Sequence, residues 1–372
     1  MLVRKMGAAG LGYAVCVAMF AAVAVQAANP PDQPGEVTTG AAPQPSILQS
    51  LLPPFTATPL ERAPEAEGWG PLRISPAGRF CLSEVEEGEK RSVFLLDHNA
   101  QPLRDLTRKQ YPQASAIWGY SDQHILLECR KDAMGKPLFL HMDRVTGSTT
   151  ASTIPGVPRW SPTGKDYFLP SMASSGFYQR YTGKDVPVGH QLYGNEPVWS
   201  SDGQSLAYLA VNGKGETAPP AKEGIPKVKP EGAPAPSAPD GPPEIRILPA
   251  RGDVPRVILS STGWTKLLTE KGWSSMTVSD PLAWSPADDA LYAFCSAKLV
   301  MGGGAESSYL LKLDLRSPKR EVLPLPSGSR LVSTSGDSHH WILQMGDHLF
   351  RLDFAAPPAK KTRTAAAHPG GE

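Results

Sequence analysis

The chain has 372 residues, a formal net charge of +1, 20% charged and 8% aromatic residues. That length holds one large domain or two ordinary ones, and the composition permits a packed core. A near-neutral chain lacks the basic surface that a nucleic-acid partner requires.

Residues 1–27 read as a secretory signal peptide. Arg4 and Lys5 form a short basic start, an uncharged and mostly apolar run follows from Gly7 to Val25, and Val25-Gln26-Ala27 is a small-residue cleavage pattern. The run approaches the ~20 residues of a membrane-spanning helix. It is rich in Ala and Gly, however, and no basic stop-transfer cluster follows it. Cys16 lacks the preceding small residues of a lipid-anchor site. The expected location is periplasmic or extracellular, with no stable membrane insertion after cleavage and a formal charge of −1 on what remains.

Residues 28–54 are a Pro-rich linker, expected to be disordered, with a small apolar island from Ile47 to Leu52. Residues 212–243 have the same character and almost nothing to bury, so they too are expected to be disordered. A basic Pro/Ala tail with Lys360, Lys361 and Arg363 occupies 355–372. The folded body is therefore 55–354.

Within that body one pattern recurs: an apolar or aromatic residue, Ser-Pro or a relative of it, a Gly/Asp turn, then an apolar strand. It reads Ile74-Ser75-Pro76-Ala77-Gly78, Trp118-Gly119-Tyr120-Ser121-Asp122, Trp160-Ser161-Pro162-Thr163-Gly164, Trp199-Ser200-Ser201-Asp202-Gly203, Trp284-Ser285-Pro286-Ala287-Asp288 and Val332-Ser333-Thr334-Ser335-Gly336. The starts are separated by 44, 42, 39, 85 and 48 residues, and the long step contains the 212–243 insert and an extra connection near 262–280. Short strands repeating every 40–50 residues are the spacing of propeller blades. The first unit parses into four strands at 71–74, 80–85, 92–97 and 102–106. The sixth offers strands at 330–333, 341–345 and 349–354 and no fourth. The expected fold is all-β: a six-bladed propeller of four-stranded antiparallel blades. A segment near 55–62 supplies the missing outer strand of the last blade.

The repeated Trp-Ser-Pro-x-Gly, WD-like pattern resembles the repeats of the TolB-like propeller family over about 69–354. Such repeats also occur in the propellers of prolyl-oligopeptidase-type enzymes. The resemblance to TolB implies contacts with envelope proteins, and it implies an α/β domain before the propeller where this chain has its Pro-rich spacer. The repeated Trp itself reads as a structural plug at the strand-to-turn corner.

Three cysteines stand outside the leader, Cys81, Cys129 and Cys295, all in apolar runs. Cys129 and Cys295 share a repeat position but sit in blades that face each other across a ring of six. Cys81 is offset from Cys129 by about 13 Å along its strand, beyond the ~7 Å a disulfide allows. Buried free thiols are expected.

Candidate chemistry is sparse. Gly-x-Ser-x-Gly is absent, and Gly336-Asp337-Ser338-His339-His340 crowds Asp, Ser and His into one hairpin, where adjacent side chains diverge. It reads as an exposed turn, and no catalytic residue is assigned. His124, His141, His190, His339, His340 and His348 with Asp337 and Asp347 offer no set drawn from matching positions of several blades, so no metal or other cofactor is expected. Met301-Gly302-Gly303-Gly304 lacks the Lys and helix of a phosphate loop, and Arg251-Gly252-Asp253 reads as turn chemistry.

Elaborations gather at blades four and five: the insert, the 261–280 connection with Trp264 and Trp273, and the Gly302-Gly303-Gly304 loop. Loops on a rigid scaffold carry function and exposed Trp marks binding hot spots. Trp264, Trp273, Gly302, Gly303 and Gly304 are therefore the candidate binding residues. The other reading, left open here, has the two Trp sealing a short helix against the blade edges. Two functions remain: a non-catalytic module binding an envelope or extracellular protein or an envelope polymer, and a lyase or hydrolase working in the central funnel.

Overall fold

The computed structural model describes residues 44–355 apart from 62–67, 89, 108–109, 112, 130–137, 155, 171–176, 182–183, 189–196, 211–242, 251–253, 280 and 301–305. The leader, most of the linker, the insert and the basic tail lie outside the described residues, as do Gly302, Gly303, Gly304 and Arg251-Gly252-Asp253.

The protein is an all-β propeller of antiparallel blades. Six sheets are described; the first four run in chain order from an inner strand to an outer one. Sheet one comprises Arg73–Ile74, Phe80–Glu87, Lys90–Asp97 and Pro102–Asp105, close to the strands the sequence predicts. Sheets two, three and four begin with Ser115–Trp118, Arg159–Trp160 and Val198–Trp199. Ala210 pairs with Glu244 in sheet four, so the 32-residue insert leaves and returns at adjacent points of one hairpin.

Sheet five departs from the expected four strands. The 261–280 connection forms a helix, Ser261–Lys271, and a strand, Trp273–Val278, that joins the sheet beside Ala290–Leu299. The helix begins on Ser260, whose side chain accepts from the Gly263 N–H, and ends on Gly272 in the left-handed conformation, the ordinary start and stop chemistry of a helix. Trp273–Val278 then continues the inner edge that Ala283–Trp284 completes.

Sheet six takes its outer strand from the N-terminal side, as the sequence predicts. Phe55–Leu60 pairs antiparallel with His348–Phe354, from Phe55 opposite Phe354 to Leu60 opposite Leu349. The linker boundary moves, however. Residues 45–50 form a short 3-10 helix, and Leu48, Leu51 and Leu52 are buried against Phe294, Trp341 and Phe354. The apolar island packs because each leucine removes surface from water that a free linker would leave exposed.

The sixth motif also shifts register. In five turns a serine hydroxyl accepts the backbone N–H five residues on: Ser75 from Phe80, Ser161 from Asp166, Ser200 from Ser205, Ser285 from Ala290 and Ser335 from His340. That alignment starts the sixth repeat at Thr334 rather than Val332. A one-residue bulge at Val332, between Leu331 and Ser333, lies just before it.

Candidate functional site

The inner strands converge on one cavity of ≈ 210 Å³ along the axis, and all six sheets contribute to its wall. Pro71, Pro158, Pro197 and Pro281, which precede the inner strands, stand at its wall with the turn residues Pro76 and Gly336. Proline suits this place because an inner edge strand has no neighbour to receive its N–H. Ile117, Val198 and Val332 give the wall apolar patches, Ser333 and Thr334 give it hydroxyls, and Arg73 and Arg159 give it two guanidinium groups. Both arginines have further contacts within the protein.

The repeated Trp builds that wall. Trp118 Nε1 donates to the Arg73 carbonyl at 2.7 Å, Trp199 Nε1 to Arg159 at 2.8 Å and Trp284 Nε1 to Val198 at 3.0 Å. Each indole thus reaches back to the inner strand of the preceding sheet, the structural role the sequence predicts. Between sheets six and one the equivalent tie is the Ile74 N–H donating to Ser333 Oγ at 3.0 Å.

A second ring of contacts runs through the turns. In five of the six motifs the fourth residue after the start has positive φ: Gly78, Gly164, Gly203, Asp288 and, with the corrected register, Ser338. In sheet two the position is Asp122, whose carboxylate accepts from Ala77 N–H and Arg79 Nε of sheet one, both at 2.8 Å. Asp288 does the same toward sheet four, accepting from the backbone N–H and hydroxyl of Ser201 and from Asp202 N–H. Burial raises the Asp288 carboxyl above its ordinary 3.8, the Ser201 donors partly offset this, and the nearby Asp202 charge adds to the rise. At Gly78 a side chain would land on the His340 ring.

His340 belongs to a charged cluster between sheets six and one that sequence reading missed. Its Nδ1 lies 2.5 Å from Asp353 Oδ1, which also accepts from Arg351 Nε at 2.7 Å. Arg351 Nη1 in turn donates to the Gly78 carbonyl at 2.6 Å. Asp353 is lowered from the ordinary range: donors on His340 and Arg351 outweigh the opposing effect of its burial. The ladder explains it. Asp97, Asp143 and Asp314 occupy the same place, opposite Phe80, His124 and Ala290, and each accepts backbone N–H groups from its own hairpin. Those donors, the Thr146 N–H first, take Asp143 down to about 2. The outer strand beside Asp353 is Phe55–Leu60, from the N-terminal side, and the Asp353 carboxylate turns to the sheet-one seam. The recurrent Asp at strand ends was the available signal.

The corrected register also places His124 and His340 at equivalent positions, six residues past Trp118 and Thr334, contrary to the absence of matching histidines expected from sequence. They serve different neighbours: His124 Nδ1 is 2.8 Å from Ser121 Oγ and its ring stacks on Tyr120 at 4.5 Å. His141 is held below its ordinary range by burial and by His124. His190 lies outside the described residues. Among the described residues no three His, Cys, Asp or Glu side chains gather as metal ligands. The 336–340 hairpin is not the exposed turn expected: Ser338 is buried, and Asp337 N–H donates to Pro76 O of sheet one.

Trp264 and Trp273 are placed in the core. Trp264 is fully buried with Nε1 donating to Pro243 O at 2.6 Å, and Trp273 packs on Tyr309 at 4.5 Å. The exposed pair entertained from sequence is corrected: helix and added strand roll both indoles onto sheets four and five. The three cysteines are free, and burial pushes the Cys81 and Cys295 thiols up to about 12.

No protein-family model and no curated protein sequence matches the chain. Solved structures that it is similar to include TolB from Acinetobacter baumannii (13% identity, 77% of this chain, 64% of that chain, TM-score 0.43). Others are a putative TolB from Agrobacterium tumefaciens (14%, 78% and 91%, 0.45) and the propeller domain of the Trilobed protease from Pyrococcus furiosus (13%, 81% and 84%, 0.41). The chain thus spans 64% of the length of the A. baumannii TolB. At such scores the likenesses bring neither an activity nor a partner to this chain. No helix among the described residues is long and apolar enough to cross a membrane.

Proposed function

We propose that the protein is an exported six-bladed propeller that binds an envelope or extracellular protein, without catalysis, at its axial cavity. The observation that carries this reading is the convergence of six inner strands on one cavity. Its wall of prolines, aliphatic side chains, hydroxyls and guanidinium groups is held by indole–carbonyl and turn–turn contacts. Catalytic groups tend to have strongly displaced ionisation. The described groups that do, among them Cys81, Cys295, Tyr208 and Asp143, are not part of that wall. Export rests on the basic start, apolar run and cleavage pattern of 1–27.

The test is cross-linking in the native cells with the wild type and with a variant carrying Ile117→Trp and Val332→Trp, two half-buried wall positions. A partner recovered with the wild type and lost with the filled cavity is the expected result. Equal recovery with both would remove the cavity from the reading. The mass of the chain recovered from the same cells checks export: it should begin at residue 28.

A further inference from the structure

Four repeats carry Trp at the motif start, and three of these indoles donate to the preceding inner strand. Trp160 does not. Its equivalent acceptor, the Ile117 carbonyl, receives no indole, and Trp160 Nε1 has no hydrogen-bond partner among the described residues. Instead the ring lies edge-on to Tyr120 at 5.6 Å and 68° and to Tyr167 at 4.9 Å and 60°. Trp160 is also the least buried of the four, and it lines the axial cavity.

A half-exposed indole with an unused N–H, held between tyrosines and facing a cavity, is the equipment with which aromatic-lined grooves hold a proline-bearing extended segment. The indole stacks on the pyrrolidine and donates to a peptide carbonyl, while proline has no N–H of its own to satisfy. The ligand is already extended when free, which lowers the ordering cost of binding.

We propose that the wall of the axial cavity at Trp160 takes a proline-bearing extended peptide. This rests on the axial binding reading above and names the chemistry of the partner segment. The probes are acetylated, amidated hexaproline and hexa-alanine, titrated by calorimetry against the whole exported chain. Hexaproline should bind and hexa-alanine should not. Trp160→Phe, which removes the N–H together with the five-membered ring, should weaken hexaproline at least roughly fivefold, the worth of one net hydrogen bond. Its melting temperature should fall less than that of Trp199→Phe, which loses the same ring area and a hydrogen bond to the protein besides. Equal affinity for the two peptides would overturn the proline assignment. A melting loss in Trp160→Phe as large as that in Trp199→Phe would overturn the open indole. Hexaproline that fails to bind, while Ile117→Trp/Val332→Trp still abolishes capture of the cellular partner, would overturn this inference and leave the axial reading standing.

Discussion

The seam between sheets four and five and the seam between sheets two and three are made from the same repeat and differ in the ties that their motif tryptophans make. At the first, Trp284 reaches the Val198 carbonyl, Asp288 holds the Ser201 turn, and the helix Ser261–Lys271 adds Trp264 and Leu267 to a core shared by both sheets. At the second, Trp160 does not donate to the equivalent Ile117 carbonyl, and Gly164 lies against the Tyr120 ring where sheet five has the Asp288 carboxylate. A repeat protein can keep its geometry while one interface gives up a tie, because each unit touches only its neighbours. The helix packed at one seam stabilises the ring, and the indole without a hydrogen bond at the other leaves an aromatic surface on the cavity.

Substitutions can break this contrast. The largest expected effect is Trp264→Ala, which empties the filled seam and leaves the Pro243 carbonyl without its donor; unfolding in urea should show a loss of about 3–5 kcal/mol. Next is Gly164→Ala on the open seam. The residue has φ +68°, and an added Cβ would lie 2.8 Å from Tyr120 Cδ2. The left-handed backbone alone costs about 1–2 kcal/mol, so a melt unchanged by this substitution would show that the seam is looser than described. Trp284→Phe should cost about 1 kcal/mol more than Trp160→Phe, the net worth of the hydrogen bond that only Trp284 makes; equal costs would erase the difference between the seams. The smallest effect is on pH. Because the folded state raises Asp288 above 3.8, the folded chain binds more protons than the unfolded chain between the two values, and stability gains as pH falls through that window. Asp288→Asn should remove that gain. Asp353, lowered on folding, acts oppositely: its contribution is full at neutral pH and is lost as pH falls below 3.8 toward its folded value.

Much of the scaffold was legible in the sequence because it repeats. Trp118, Trp199 and Trp284 occur at one motif position, and a residue that recurs at blade spacing has a blade-level job. The incomplete last repeat implied a strand from elsewhere, and Phe55–Leu60 supplies it. Trp264 and Trp273 were ambiguous for a physical reason. A connection rich in Trp and Leu buries its apolar face if a helix can lie on the sheet edge and displays it if not, and local sequence does not encode where that edge is. The sixth register was misplaced because Ser333 and Ser335 both mimic the motif serine, and only the bulge and the His340 N–H bond to Ser335 tell them apart.

The sequence by itself determined the antiparallel propeller repeat, the residues of its turns and the structural use of most of its tryptophans, since strand alternation and turn chemistry act over a few residues. Only the tertiary structure decided which indole went without a partner, which aspartate left its hairpin for the neighbouring sheet, and where the wall of the cavity ran. Those depend on the placement of sheets some forty residues apart in the chain, which decides whether an indole reaches a neighbouring carbonyl.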